Sequence, residues 1–287
     1  MGVCVAATLI LVSLLALGAP SLAQDAAAPA DIDSLSPQVA GDSGSSLDRA
    51  QRLITWINTT FDWTATDYQQ RTVEQIIERR GGNCAELSRV LERLLKPVGI
   101  RYRWVSEINL HPYTPRRQKT AEEMVVKNGN RMSVFGLRHN DHRWLEVYDD
   151  AAGQWVPADP SIGIAGIEVW IQFRMGVANR PQPQVPAVAE VTKDMIVPFA
   201  VIARPQSGPA KDRSEFYLVQ EFNRAYGGRL ASLSAWNDWV EGIRELSRLA
   251  DGAFRGDVNL HDSTDKITRL AETYEALRQQ AKQSGIQ

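Results

Sequence analysis

The chain has 287 residues, 44% of them hydrophobic and 23% charged, with a formal net charge of −2. That length buries one sizeable core, or one core plus an appendage. The near-neutral balance lacks the basic footprint of a nucleic-acid binder, and Glu and Arg are interspersed as on a solvated surface.

Residues 3–17 form a nearly continuous apolar run, and Ser21-Leu22-Ala23 fits a small-x-small cleavage site. A signal peptide over residues 1–23 is therefore expected, with the mature protein periplasmic or secreted. The run is short for a transmembrane helix. It is not preceded by Lys or Arg, so an uncleaved N-terminal membrane anchor is the alternative. Cys4 would leave with the leader. Residues 24–46 are rich in Ala, Pro, Ser, Gly and Asp and read as a flexible tether. Residues 48–61 suit a helix with Leu53, Ile54 and Ile57 on one face. A second short helix is expected over 72–80, with Val73, Ile76 and Ile77 apolar.

Cys84 is then the one cysteine of the mature chain. It has no internal partner for a disulfide, so it is either an inert buried residue or a reactive one. Asn83 is a good N-cap, and Glu86 stands where a capping box needs it. Leu87, Val90, Leu91, Leu94 and Leu95 follow at helical spacing, and Pro97 and Gly99 stop the run. Cys84 is thereby placed in the positive field of a helix's first turn, which favours a thiolate. The paired glycines Gly81 and Gly82 allow another backbone to come close. A small buried cysteine capping a core helix is the competing reading.

Residues 100–105 alternate Tyr102 and Trp104 with Arg101 and Arg103, as in a half-exposed strand. Residues 106–141 read as a long polar connection, of the kind that borders sites. His142-Arg143-Trp144-Leu145-Glu146-Val147-Tyr148 and Gln154-Trp155-Val156-Pro157-Ala158-Asp159 then flank a Gly-containing turn and signal a hairpin. A turn centred near Ala151 places His142 opposite Asp159 or Pro160. A carboxylate there fixes the imidazole tautomer and stabilises its cation, and the imidazole can activate a cysteine. His111, His139 and His261 are scattered and read as loop or surface residues. No Cys-x-x-Cys pair or clustered His suggests a metal site.

Beyond Pro160, residues 180–186 are proline-rich and read as a surface linker. Residues 215–226 suit a helix that stops at Gly227-Gly228. Leu230, Leu233, Trp236, Val240, Ile243, Leu246 and Leu249 step along one helix face, and a last amphipathic run surrounds Ile267, Leu270, Tyr274 and Leu277. Trp236 and Trp239 could bind a ligand, but their helical spacing favours packing.

Taken in order, Gly82-Asn83-Cys84, Gly99-Ile100, His142-Arg143-Trp144-Leu145-Glu146-Val147 and Trp155-Val156-Pro157-Ala158-Asp159-Pro160 resemble the transglutaminase-like superfamily. The resemblance covers roughly residues 47–161. It implies an α+β, papain-like core in which the Cys84 helix packs on an antiparallel sheet. It also implies Cys84 as nucleophile, His142 as base and acid, and Asp159 as orienting carboxylate. Trp63, Tyr68 and Gln69, from the segment before the helix, are unranked candidates for a second oxyanion donor. The expected organisation is a catalytic domain over 47–180 and a mainly helical extension over 181–287. The expected activity is acyl transfer or hydrolysis at amide bonds of a protein or peptide substrate, cell-wall peptides included. No cofactor, metal or nucleic acid is called for. The alternative is a catalytically silent binding or assembly module on the same fold.

Overall fold

A computed structural model describes residues 32–64, 67, 69–110, 123, 127, 142–177 and 197–286. The leader, the proline-rich stretch at 180–186, Tyr68, His111 and His139 lie outside the described residues. No helix among those described is long and apolar enough to cross a membrane.

Three N-terminal helices form one layer. They are α1 (Ile32–Ala40), α2 (Ser46–Thr60) and α4 (Cys84–Leu95), with the shorter α3 (Val73–Arg79) beside α4. The first helix corrects the expectation of a tether through residue 46. Ile32, Ser36 and Ala40 recur every four residues and are all buried. Ser36 donates to the Leu94 carbonyl, and Arg93 holds the Asp33 carboxylate at 2.6 Å, so α1 is tied to the end of α4. Each of these partners lies about sixty positions away, where local composition carries no trace of it.

The sheet has six strands in the order β6-β5-β4-β3-β7-β8. They are β3 (Tyr102–Asn109), β4 (His142–Asp149), β5 (Gln154–Asp159), β6 (Ile164–Ala165), β7 (Pro198–Arg204) and β8 (Lys211–Asp212). All pairs are antiparallel. Two further short strands, β1 (Asp62–Trp63) and β2 (Gly81–Gly82), pair in parallel just before α4.

The sheet is covered on both faces. Tyr102 and Trp104 donate to the two oxygens of Glu92 on α4, at 2.9 and 3.0 Å, which marks the face under the Cys84 helix. The opposite face carries Trp144, whose ring packs 5.4 Å from Trp170 on α5 (Ile167–Met175) and 6.0 Å from Tyr217 in a π-helical turn (Phe216–Glu221). Arg103 lies on this second face, almost fully buried and paired with Glu146. The half-exposed strand expected at 100–105 is thus a central strand, four residues longer at its end and covered on both sides.

The expected division at residue 180 does not follow the sheet. β7 comes after that point, yet it pairs with β3 along Trp104↔Arg204 to Asn109↔Pro198. The helical part begins only after β8. It includes α6 (Phe222–Ala225), α7 (Trp236–Arg255) and α8 (Thr264–Gln283). Leu230 and Leu233 precede α7 rather than belonging to it. Trp239 is fully buried and donates to the Leu218 carbonyl at 2.8 Å, so its helical spacing reports packing. His261 sits half-buried in a 3₁₀ turn before α8.

Candidate active site

Cys84 is the first residue of α4 and is half-buried. The local sequence dictates this. Asn83 takes an extended conformation (φ −80°, ψ 178°), and its Oδ1 accepts from the N–H groups of Ala85 and Glu86 at 3.0 and 3.1 Å. Glu86 Oε2 accepts from the Asn83 N–H at 3.0 Å and closes the capping box. The cap takes the Ala85 and Glu86 amides, not that of Cys84. The Glu86 carboxylate stands two residues from the sulfur, where its charge would oppose a thiolate. Arg71 balances it at 2.8 Å, and Arg71 is held in turn by Asp67 at 2.5 Å. Burial works against the charge on Arg71, but Asp67 and Glu86 bind that charge and raise its pKa.

The chain reaches Cys84 through a narrow passage. Trp63 pairs with Gly82, and Thr64 N–H donates to the Gly82 carbonyl at 3.0 Å. A Cβ on Gly82 would lie 2.8 Å from the Glu86 Cβ, so this position has room only for glycine. Of the three oxyanion candidates, Trp63 flanks this passage. Gln69 uses its amide oxygen to accept from Arg71 at 3.0 Å, and its side chain is exposed. Thr64 Oγ1 is buried here with no hydrogen-bond partner and was not anticipated.

The second half of the site is the β4–β5 hairpin. His142 opens β4 and is 13% exposed, and Asp159 ends β5 and is fully buried. Nε2 of His142 lies 2.5 Å from Oδ2 of Asp159. The pairing Leu145↔Ala158, continued by one step, sets Asp159 across from Trp144. His142 therefore meets Asp159 on the diagonal rather than directly opposite, two residues along the same face. The other carboxylate oxygen, Oδ1, accepts from Ser161 N–H at 3.0 Å and Ser161 Oγ at 2.6 Å. Asn58 on α2 donates to the next carbonyl, that of Pro160. Ser161 was not singled out from the sequence, although an Asp two residues before a Ser is a signal for a turn of this kind.

The two halves meet at His142, which hydrogen-bonds Asp159 and is close enough to the Cys84 sulfur for both to favour its charge. Ser88, one helical turn after Cys84, donates from Oγ to the Arg143 carbonyl at 3.2 Å and fastens α4 to the start of β4. Burial disfavours the charged imidazole, but the Asp159 carboxylate and the Cys84 sulfur outweigh it and raise the His142 pKa well above its ordinary range. Burial likewise pushes Asp159 upward, while His142, Ser161 and Arg174 prevail and hold its carboxyl below the usual value. Arg174 reaches this corner through Glu107. It bonds Oε1 of Glu107, whose Oε2 accepts from Trp144 Nε1 at 2.8 Å. Glu107 and Glu146 are both fully buried and ion-paired, so these charges are not the solvated kind that the composition suggested.

Among the described residues, no group of three His, Cys, Asp or Glu side chains is arranged to hold a metal ion. The geometry offers instead a thiol, an imidazole and a carboxylate in series.

Residues 33–160 match the sequence model of the transglutaminase-like superfamily. A crystal structure of a candidate cysteine protease from Cytophaga hutchinsonii aligns over 45% of this chain and 36% of that one, at 15% identity and a TM-score of 0.32. A structure of Rad4-Rad23 bound to a 6-4 photoproduct UV lesion aligns over 88% of this chain and 51% of that one, at 12% identity and a TM-score of 0.34. The present chain therefore spans 36% and 51% of the lengths of the solved chains it matches. No curated protein matches it. The matched segment contains Cys84, His142 and Asp159, and over that segment the chain is similar to the transglutaminase-like superfamily.

Proposed function

We propose that this chain is an exported, cysteine-dependent acyltransferase or hydrolase that acts on amide bonds of protein or peptide substrates through a Cys84 thioester. The observation that carries this reading is the convergence of Cys84 and Asp159 on one imidazole, His142. The family, one of cysteine enzymes, supports the same class of chemistry.

The steps follow from the groups present. Cys84 gives its proton to His142, and Asp159 stabilises the imidazolium. The Cys84 sulfur attacks the amide carbon, an S–C bond forms, and negative charge moves to the carbonyl oxygen. The Cys84 N–H, left free by the Asn83 cap, is placed to donate to that oxygen. His142 then returns the proton to the departing nitrogen as the C–N bond breaks. Water or a primary amine attacks the thioester, with His142 taking its proton, and the Cys84 thiol is restored.

The test is intact-mass analysis of the protein with candidate peptides and isolated cell-wall fragments, with and without a primary amine. The expected result is an acyl adduct on Cys84, absent in Cys84→Ala, that is released faster by the acceptor. No adduct, cleavage or amine incorporation across those substrates would reject the enzyme reading in favour of a binding module. Export is checked by N-terminal sequencing, which should find the mature protein beginning near Gln24.

A further inference from the structure

Arg143 follows His142 on β4, and its half-buried side chain has no carboxylate partner among the described residues. Its Nε is shielded from solvent and has no hydrogen-bond partner. Its guanidinium lies 5.8 Å from the centre of the Trp104 ring and within electrostatic range of the Cys84 sulfur. The neighbouring arginines are provided for. Arg103 and Arg213 hold Glu146, Arg174 holds Glu107, Arg71 holds Asp67 and Glu86, and Arg204 holds Asp251. Among the described residues, no carboxylate forms an ion pair with Arg143, and Arg204 adds a like charge nearby. Burial accordingly lowers the Arg143 pKa.

Keeping a cation partly out of water with no carboxylate paired to it costs free energy, and the cost is recovered when an anion binds. A guanidinium presents a planar fork that matches a carboxylate in two-point contact. The Ser88 bond to the Arg143 carbonyl keeps the Arg143 backbone beside the first turn of α4. We propose that Arg143 reads a carboxylate on the substrate, so that Cys84 acts preferentially on acidic peptides carrying a free carboxylate beside the reacting amide. This deepens the proposed function and rests on it for the peptide substrate.

The test uses two alkylating reagents that form the same S–C bond and release the same iodide. Iodoacetate carries a carboxylate and iodoacetamide does not. Rates of Cys84 alkylation are followed by peptide mass mapping, and the iodoacetate-to-iodoacetamide ratio is compared with that of the same chain unfolded in urea. The folded protein should show a ratio higher by about five-fold or more, the scale of one partly shielded charge pair. Arg143→Gln should lose most of that preference, and Arg143→Lys, which keeps the charge but not the fork, should fall between Arg143→Gln and wild type. Arg143→Met, which preserves a stem against Trp104, replaces the Gln variant if that one does not fold. A wild-type ratio no higher than that of the unfolded chain overturns the proposal. A ratio that survives in Arg143→Gln or Arg143→Met assigns the preference to the His142 imidazolium and overturns it as well. Peptides that differ only by Glu or Gln beside the reacting residue should show the same preference in kcat/KM. If no peptide turns over while the alkylation preference holds, the proposed reaction fails and the carboxylate site stands.

Discussion

His142 and Asp159 are joined on a diagonal of the β4–β5 hairpin, with Nε2 2.5 Å from Oδ2, and only one carboxylate oxygen is used for that contact. The other oxygen accepts from the Ser161 backbone and hydroxyl. The carboxylate is thus oriented by its own turn before it orients the imidazole. Both side chains stand at the end of the hairpin nearest the first turn of α4, where Ser88 holds the two elements together.

This division of labour predicts the effect of Asp159→Asn. In the variant the amide oxygen keeps the two Ser161 bonds and the NH₂ group turns to His142. Nε2 must then accept rather than donate, and the proton moves to the nitrogen facing Cys84. The imidazole can no longer take a proton from the thiol. Turnover should fall on the order of 10⁴, by analogy with the corresponding change in serine triads. The circular dichroism spectrum should change little, and the unfolding midpoint should fall only by the lost His142–Asp159 charge pair. A folded variant with near-normal turnover would remove Asp159 from the mechanism.

The raised pKa of His142 predicts a titration. In protein labelled with ¹⁵N-histidine, the His142 ring should remain protonated well above pH 6.5, the usual imidazole value, and Asp159→Asn should bring it down. The linked stability has a definite sign. The His142 contribution is complete below about pH 6.5 and is lost as pH rises through its folded value. The Asp159 contribution is present above about pH 4 and is lost as pH falls through its lowered value. The difference in unfolding midpoint between wild type and His142→Ala should therefore peak between those limits. A difference that grows steadily toward pH 9 would contradict this assignment.

Much of this corner was legible in the sequence because the signals are local. The cap at Asn83, the helical spacing from Leu87 to Leu95 and the hairpin from His142 to Asp159 each occupy fewer than twenty residues. The hairpin register was misplaced by one to two residues, since the turn fixes it and its centre could only be guessed. What could not be read are contacts between distant segments. Ser36 caps α4 from 58 positions away, and Arg174 reaches Glu107 across 67. β7 follows a proline-rich stretch, and nothing in its composition names β3 as its partner. The charges at Glu107, Glu146, Arg103 and Arg174 read as solvated because their burial depends on those same distant elements.

Glu107→Ala tests the buried network. The substitution removes the acceptor of Trp144 Nε1 and the carboxylate partner of Arg174 while both side chains stay buried. A buried guanidinium without its counter-charge costs about 3–5 kcal/mol. That loss should appear as a lower denaturant midpoint with an unchanged slope. Glu215→Ala, which breaks an exposed pair with Arg244, should leave the midpoint nearly where it was. A Glu107→Ala variant as stable as wild type would mean that Arg174 finds another partner.

The place of β7 in the sheet predicts the outcome of truncation. A chain ended at residue 180 retains Cys84, His142 and Asp159 but loses β7, which pairs with β3 from Trp104 to Asn109. One long edge of a central strand then exposes its unpaired backbone groups. The same cut removes Tyr217, which packs on Trp144 and Trp170 and donates to Glu146 at 2.5 Å. Glu146 also loses Arg213. The expected product is aggregation-prone, with no cooperative unfolding transition and no selective alkylation of Cys84. Size-exclusion chromatography and urea unfolding decide the matter. A soluble chain of residues 24–180 that unfolds cooperatively and keeps wild-type Cys84 reactivity would restore the boundary at 180 and reduce the C-terminal segment to an appendage.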